Sequence, residues 1–111
     1  MDLKEMKKMI NYLVKVYCPE GTVFYWHNDR RNAIGFCKCK YCESLKEFYD
    51  YEVAVSTKYA RSHSWKEVRR IAVQEIAHSR TLGKGKKAFF DEFSRLMSII
   101  EKSEKDEKKA A

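Results

Sequence analysis

The chain has 111 residues, 44% of them apolar, and carries 23 Lys and Arg against 16 Asp and Glu, a net charge of +7. That length holds one domain with one core. No apolar run approaches the roughly 20 residues of a membrane span, so no membrane contact is expected and an intracellular, cytoplasmic protein is. The last eleven residues, from Glu101, balance four acids against four lysines. The excess positive charge therefore falls on the preceding part, where it favours acidic partners such as nucleic acid.

In chain order, residues 2–17 predict a helix. Asp2 can cap it, and Leu3, Met6, Ile10, Leu13, Val14 and Tyr17 recur at helical spacing. Pro19-Glu20-Gly21 ends it. Thr22 to His27 is rich in strand formers. A polar turn over Asn28 to Asn32 leads to a second strand, Ala33 to Lys40, which predicts an antiparallel hairpin. Tyr41 to Asp50 suits either a loop or a short helical turn, and Tyr51 to Ser56 alternates as a third strand. A turn of helix is expected over Lys58 to Ser62. Ser64, with Glu67 three residues on, can cap a helix from Trp65 to about Thr81. Gly83 and Gly85 break it, and a last helix runs from Lys87 to about Lys102. The expected class is α+β: a small antiparallel sheet packed with about three helices. Residues 1–100 form a single domain, and 101–111 a charged, frayed tail.

Residues Gln74-Glu75-Ile76-Ala77-His78 differ in one position from the zinc-peptidase helix motif H-E-x-x-H. In the intact motif two histidines four apart grip zinc from one helix face, and the glutamate activates the zinc-bound water. Here the first ligand position holds a neutral amide, a poor zinc donor. The pentapeptide alone reads more readily as a solvated helix face, because Q-E-x-x-H is a loose pattern.

Other pieces fall around it in a definite order. Arg30-Arg31-Asn32-Ala33-Ile34-Gly35-Phe36-Cys37 and Val53-Ala54-Val55-Ser56 precede that helix, and Gly83-Lys84-Gly85-Lys86-Lys87-Ala88-Phe89 follows it. This order resembles the SprT-like zinc metallopeptidases, whose fold is zincin-like. Over about residues 12–97, the resemblance implies an arginine-rich turn with a Gly-x-Cys strand, a strand ending in Ser, the zinc helix and a third-ligand segment. It places the third ligand at Lys84, whose ammonium has no lone pair to give. Only Glu75 and His78 match the chemistry. The resemblance thus implies a scaffold whose residues oppose the activity: no catalytic zinc, His78 as a vestigial ligand, and Glu75 catalytic only if the domain is active. With no metal, Glu75 is expected to pair with Lys84 or Arg80.

Cys18, Cys37, Cys39 and Cys42 are the other candidate metal site. Three thiolates with Cys18 or His27 would supply the four ligands of a structural zinc. Only Cys39 and Cys42 have knuckle spacing, and buried apolar cysteines are the plainer reading. His63 suits a helix-capping loop. The glycines and lysines of 83–86 lack the spacing of a phosphate-binding P-loop.

The expected function is that of a catalytically inactive SprT-like domain acting as a binding protein, for nucleic acid or for a protein. The intact family's association with DNA-linked substrates, as the resemblance implies, agrees with two basic groups. Arg30, Arg31, Lys38 and Lys40 surround the hairpin, and Arg80, Lys84, Lys86 and Lys87 follow the central helix. Tyr25, Trp26 and Tyr41 could add stacking. Two other readings stand beside this one. One is an active zinc metallopeptidase with atypical ligands, needing His27, His63 or a cysteine to converge on His78. The other is a small interaction protein stabilised by a cysteine-bound zinc.

Overall fold

A computed structural model describes residues 2–28 and 32–110. Asp2 accepts a hydrogen bond from the Glu5 amide at 2.9 Å and starts α1, Leu3–Tyr17. Met6, Ile10, Leu13 and Val14 form its buried stripe, and the extended backbone at Cys18, just before Pro19, stops it. Three strands follow: β1, Val23–His27; β2, Gly35–Cys42; and β3, Glu47–Ser56. Then come α2, Thr57–Ser62; α3, Trp65–Arg80; and α4, Lys86–Ala110. The class is α+β, with four helices and one sheet among the described residues.

The sheet departs from the predicted antiparallel one. Its order is β1-β3-β2, with β3 parallel to β1 and antiparallel to β2. The hairpin therefore joins β2 to β3, not β1 to β2. The segment left open as a loop or helical turn supplies the ends of both strands and the turn between them. The physical reason lies in β3. Val53, Ala54 and Val55 are all fully buried, so the strand is apolar on both faces and belongs in the middle of the sheet. The register on β2 is interrupted between Lys38 and Lys40. There Asp50 of β3 takes a positive φ of 51°, a conformation that Asp tolerates better than most residues, and the strand bulges.

Helices α1, α3 and α4 share one core on one face of the sheet. Ser64 caps α3 as its spacing predicts, accepting from the Glu67 amide at 3.3 Å. Val68, Ala72 and Ile76 are fully buried and Trp65 is half-buried. Removing Val68 and Ile76 from water contributes about 3–6 kcal/mol before chain entropy is charged. On the far face of the sheet Phe36 packs against Tyr25 and His27, with ring centroids 5.9 and 4.9 Å away. Past Arg80, Gly83 and Gly85 take φ of +75° and +90° and turn the chain into α4. That helix runs beyond the expected Lys102 to Ala110, through the segment read as a tail. Among the described residues, no helix is long and apolar enough to cross a membrane.

One close approach fixes how α3 lies against β2. A Cβ on Gly35 would sit 2.8 Å from Ile71 Cγ2, 3.1 Å from the Ala54 carbonyl oxygen and 3.3 Å from Glu75 Cγ. The first contact is with a methyl on a stiff β-branched side chain, and the second is with backbone in the central strand. Gly35→Ala is therefore expected to cost about 1–3 kcal/mol through overpacking, measured as a lower urea midpoint. Adding Ile71→Ala should narrow the gap that Gly35→Ala opens, because the nearest obstacle is gone. An unchanged midpoint for Gly35→Ala would refute the close packing.

Candidate functional site

The polar residues of α3 point in two directions. Ile71 and Glu75, one turn apart, face β2, where Gly35 lets the strand come close. Arg70, Gln74 and His78 lie at i, i+4 and i+8, on one side of the helix. Two of these three meet aromatic rings of α4. The Arg70 guanidinium carbon is 5.9 Å from the centroid of Phe93. The His78 ring stacks on Phe89, with centroids 4.0 Å apart and an interplanar angle of 12°.

Glu75 is half-buried and makes no hydrogen bond or ion pair with any described residue. Burial holds its carboxyl well above the usual range, at about 7. The expected pairing with Lys84 or Arg80 is not formed. Arg80 is taken elsewhere, with Nε 3.4 Å from Glu92 Oε2 and Nη1 donating to the Tyr17 carbonyl at 2.9 Å. Lys84 stands exposed in the turn after α3.

Two thiols lie along this side of α3, Cys37 in the field of Glu75 and Cys18 beside Ser79. Cys37 lies two residues from Gly35 along β2, on the same face of the strand. It is pushed up to about 12, first by burial, then by the negative field of Glu75 and by Cys39 and Cys18. Cys18, at the end of α1, is also raised by burial, and its Sγ lies 3.7 Å from Ser79 Oγ, one helical turn beyond Glu75. Near neutral pH both thiols hold their protons, which makes them poor nucleophiles as they stand.

The donor set does not fit a catalytic zinc. Gln74 offers an amide, Lys84 an ammonium, and the one imidazole of the motif is laid flat on Phe89. Among the described residues, no three His, Cys, Asp or Glu side chains converge on one point. The remaining histidines are far from His78. His63 sits before the opposite end of α3, stacked on Tyr59 at 3.7 Å, with Nδ1 2.8 Å from the Tyr59 carbonyl oxygen. His27 is on the far face of the sheet against Phe36.

Of the four cysteines, Cys42 stands apart from the other three. Five residues of extended strand, about 17 Å, separate Cys42 from Cys37. Cys42 ends β2 at the exposed hairpin turn, where a Ser44 hydroxyl 3.2 Å away and nearby backbone amides lower its pKa. Cys39 stands opposite the β3 bulge, in a cleft of about 400 Å³ with Lys38, Lys40 and Tyr51.

The expected basic surface divides in two. Lys38 and Lys40 lie across the hairpin from Glu52 and Asp50, at 3.7 and 3.4 Å, and with the paired Arg80 their charge is largely offset. Lys84, Lys86 and Lys87 are exposed and have no carboxylate within 4.0 Å among the described residues. Arg30 and Arg31 lie outside the described residues. Tyr25 and Trp26 are spent on packing, Tyr25 on Phe36 and Trp26 against Phe24 and the core. Tyr41 rests on Phe48 at the hairpin end.

Sequence reasoning missed two groupings. The partnership of Arg70 and His78 with Phe93 and Phe89 had a signal, since both pairs have helical spacing. The meeting of Cys18 with Ser79, and of Cys37 with Glu75, had none. Compared with family models, curated proteins and solved structures, the chain matches none.

Proposed function

We propose that this chain is a catalytically inactive SprT-like domain that binds nucleic acid. The scaffold part of the reading rests on the order of its pieces. A Gly35-x-Cys37 strand lies against the helix of Gln74-Glu75-x-x-His78, and a glycine-lysine turn follows that helix. The inactive part rests on chemistry: an amide, Gln74, and an ammonium, Lys84, stand at two of the ligand positions that the resemblance implies. Among the atypical donors, His27 and His63 lie at the far face of the sheet and the opposite end of α3 from His78, which leaves only a cysteine for that alternative.

The partner is argued from one observation: the lysines after α3 lack carboxylate partners while those of the hairpin have them. Three uncompensated cations within four residues suit a polyanion. Lys86→Glu with Lys87→Glu is expected to weaken binding of a labelled oligonucleotide at least ten-fold at low salt. Each lost phosphate contact should also flatten the slope of log affinity against log salt by about 0.7–0.9. Folding stability should change by less than about 0.5 kcal/mol, because the charges are exposed. If neither single- nor double-stranded oligonucleotide binds the parent protein at low salt, the proposal fails.

A further inference from the structure

The same region carries more than charge. Phe90 is 60% exposed and stands outside the core that takes Phe89 and Phe93. Its ring is propped at 61° to that of Phe89, centroids 5.2 Å apart, and Phe89 in turn is backed by His78. Lys86 and Lys87 precede Phe90 by four and three residues, so both ammonium groups share its side of α4. The first turn of α4 contains no acid, and Asp91 is the next carboxylate along. Beside this ridge runs a groove of about 310 Å³ lined by His78, Thr81, Leu82, Phe89 and the glycines of the turn. No atom lies within 4 Å of where a Cβ would stand on Gly83 or Gly85, so the backbone there is open to a ligand.

We infer that this ridge is a stacking site for single-stranded nucleic acid, in which an unpaired base lies on Phe90 while phosphates flanking it meet Lys84, Lys86 and Lys87. The inference rests on the nucleic-acid reading above and deepens it. An exposed phenyl ring on a well-packed helix gains nothing from water. A base offers a flat apolar face of matching size, and any base will serve. In a duplex both faces of each base are already stacked and its edges lie in grooves, so a lone ring on a convex helix finds no partner there. Cations alone would bind both forms through phosphate contacts. The ring is what distinguishes them.

The test compares a fluorescein-labelled oligothymidine with a duplex of equal length, by anisotropy, on the full chain at one salt concentration. The parent protein should bind the single strand at least ten-fold more tightly. Phe90→Ala should lose roughly ten-fold on the single strand and nothing on the duplex, while Phe90→Trp should keep or improve single-strand binding. Because the ring is exposed, an unchanged thermal midpoint will show that the variants are folded. Equal or tighter binding of the duplex, or an unchanged single-strand affinity for Phe90→Ala, overturns the stacking site and leaves the nucleic-acid reading in place. Binding of neither form overturns both.

Discussion

Replacing Glu104 with alanine is expected to destabilise the domain by about 2–3 kcal/mol, more than any other exposed carboxylate. Arg69 is only 5% exposed. Its guanidinium is ion-paired to Glu104 through Nη1 and lies 5.0 Å from the centroid of Trp65. Glu104 comes from the C-terminal part of α4, so the pair fastens that helix to α3. Without Glu104 the arginine stays buried with no opposing charge, and breaking buried pairs this way costs about 3–5 kcal/mol. The lower figure applies because the Glu104 side chain is itself 34% exposed. Arg69→Met removes the charge and keeps the bulk, so it should stay within about 1 kcal/mol of the parent. Adding Glu104→Ala to Arg69→Met should then cost little more. Urea midpoints for the four proteins of this cycle decide the matter. A loss under about 0.5 kcal/mol for Glu104→Ala alone would mean that water, not Glu104, satisfies Arg69.

Glu75 should make the domain less stable as pH rises. Burial holds its carboxyl at about 7 in the folded protein, against about 4.3 in an unfolded chain. Between those values the folded state binds the extra proton, so raising the pH favours unfolding. The contribution is fully present below about pH 4, declines through the interval and is gone above 7. Its size is at most about 3.7 kcal/mol. Cys37, the thiol in the field of Glu75, is itself raised by burial and neutral across this range. Glu75→Gln keeps the shape and removes the titration. The variant should match the parent near pH 4 and exceed its stability by about 2–3 kcal/mol near pH 8. Stability curves that stay parallel from pH 4 to 8 would show that Glu75 ionises normally.

Much of the helical part was legible in the sequence. The Asp2 and Ser64 caps, the apolar stripes and the Gly83–Gly85 break all act locally, and local signals survive in one chain. The sheet was harder. The turn between β2 and β3, Glu43-Ser44-Leu45-Lys46, contains neither Gly nor Pro, and Lys46 supplies the positive φ, so the usual hairpin signal is missing. The central place of β3 was written in Val53-Ala54-Val55, an apolar run with no solvent face. At the site, helical spacing suggests one face for Ile71, Gln74, Glu75 and His78, but Ile71 and Glu75 turn toward β2 while His78 stacks on α4. What that side meets depends on how α4 docks, which no local pattern contains. Phe89 and Phe93 occupy the ground where a metal reading would look for a cleft. The C-terminal residues look like a solvated tail by composition, yet Glu101 and Lys105 have the i,i+4 order that supports a helix.

The strand order also sets the sequence of events by which the chain can assemble. The β2–β3 hairpin closes only the four-residue turn 43–46, whereas docking β1 on β3 must close residues 28–51. The longer loop costs roughly 1.5 kcal/mol more in chain entropy, and its parallel pairing has nothing to register on until β3 is in place. Chain entropy therefore favours closure of the hairpin that carries Gly35 and Cys37 before β1 docks on β3. In that order the N-terminal helix brings Cys18 to Ser79 only after β2 and β3 have paired.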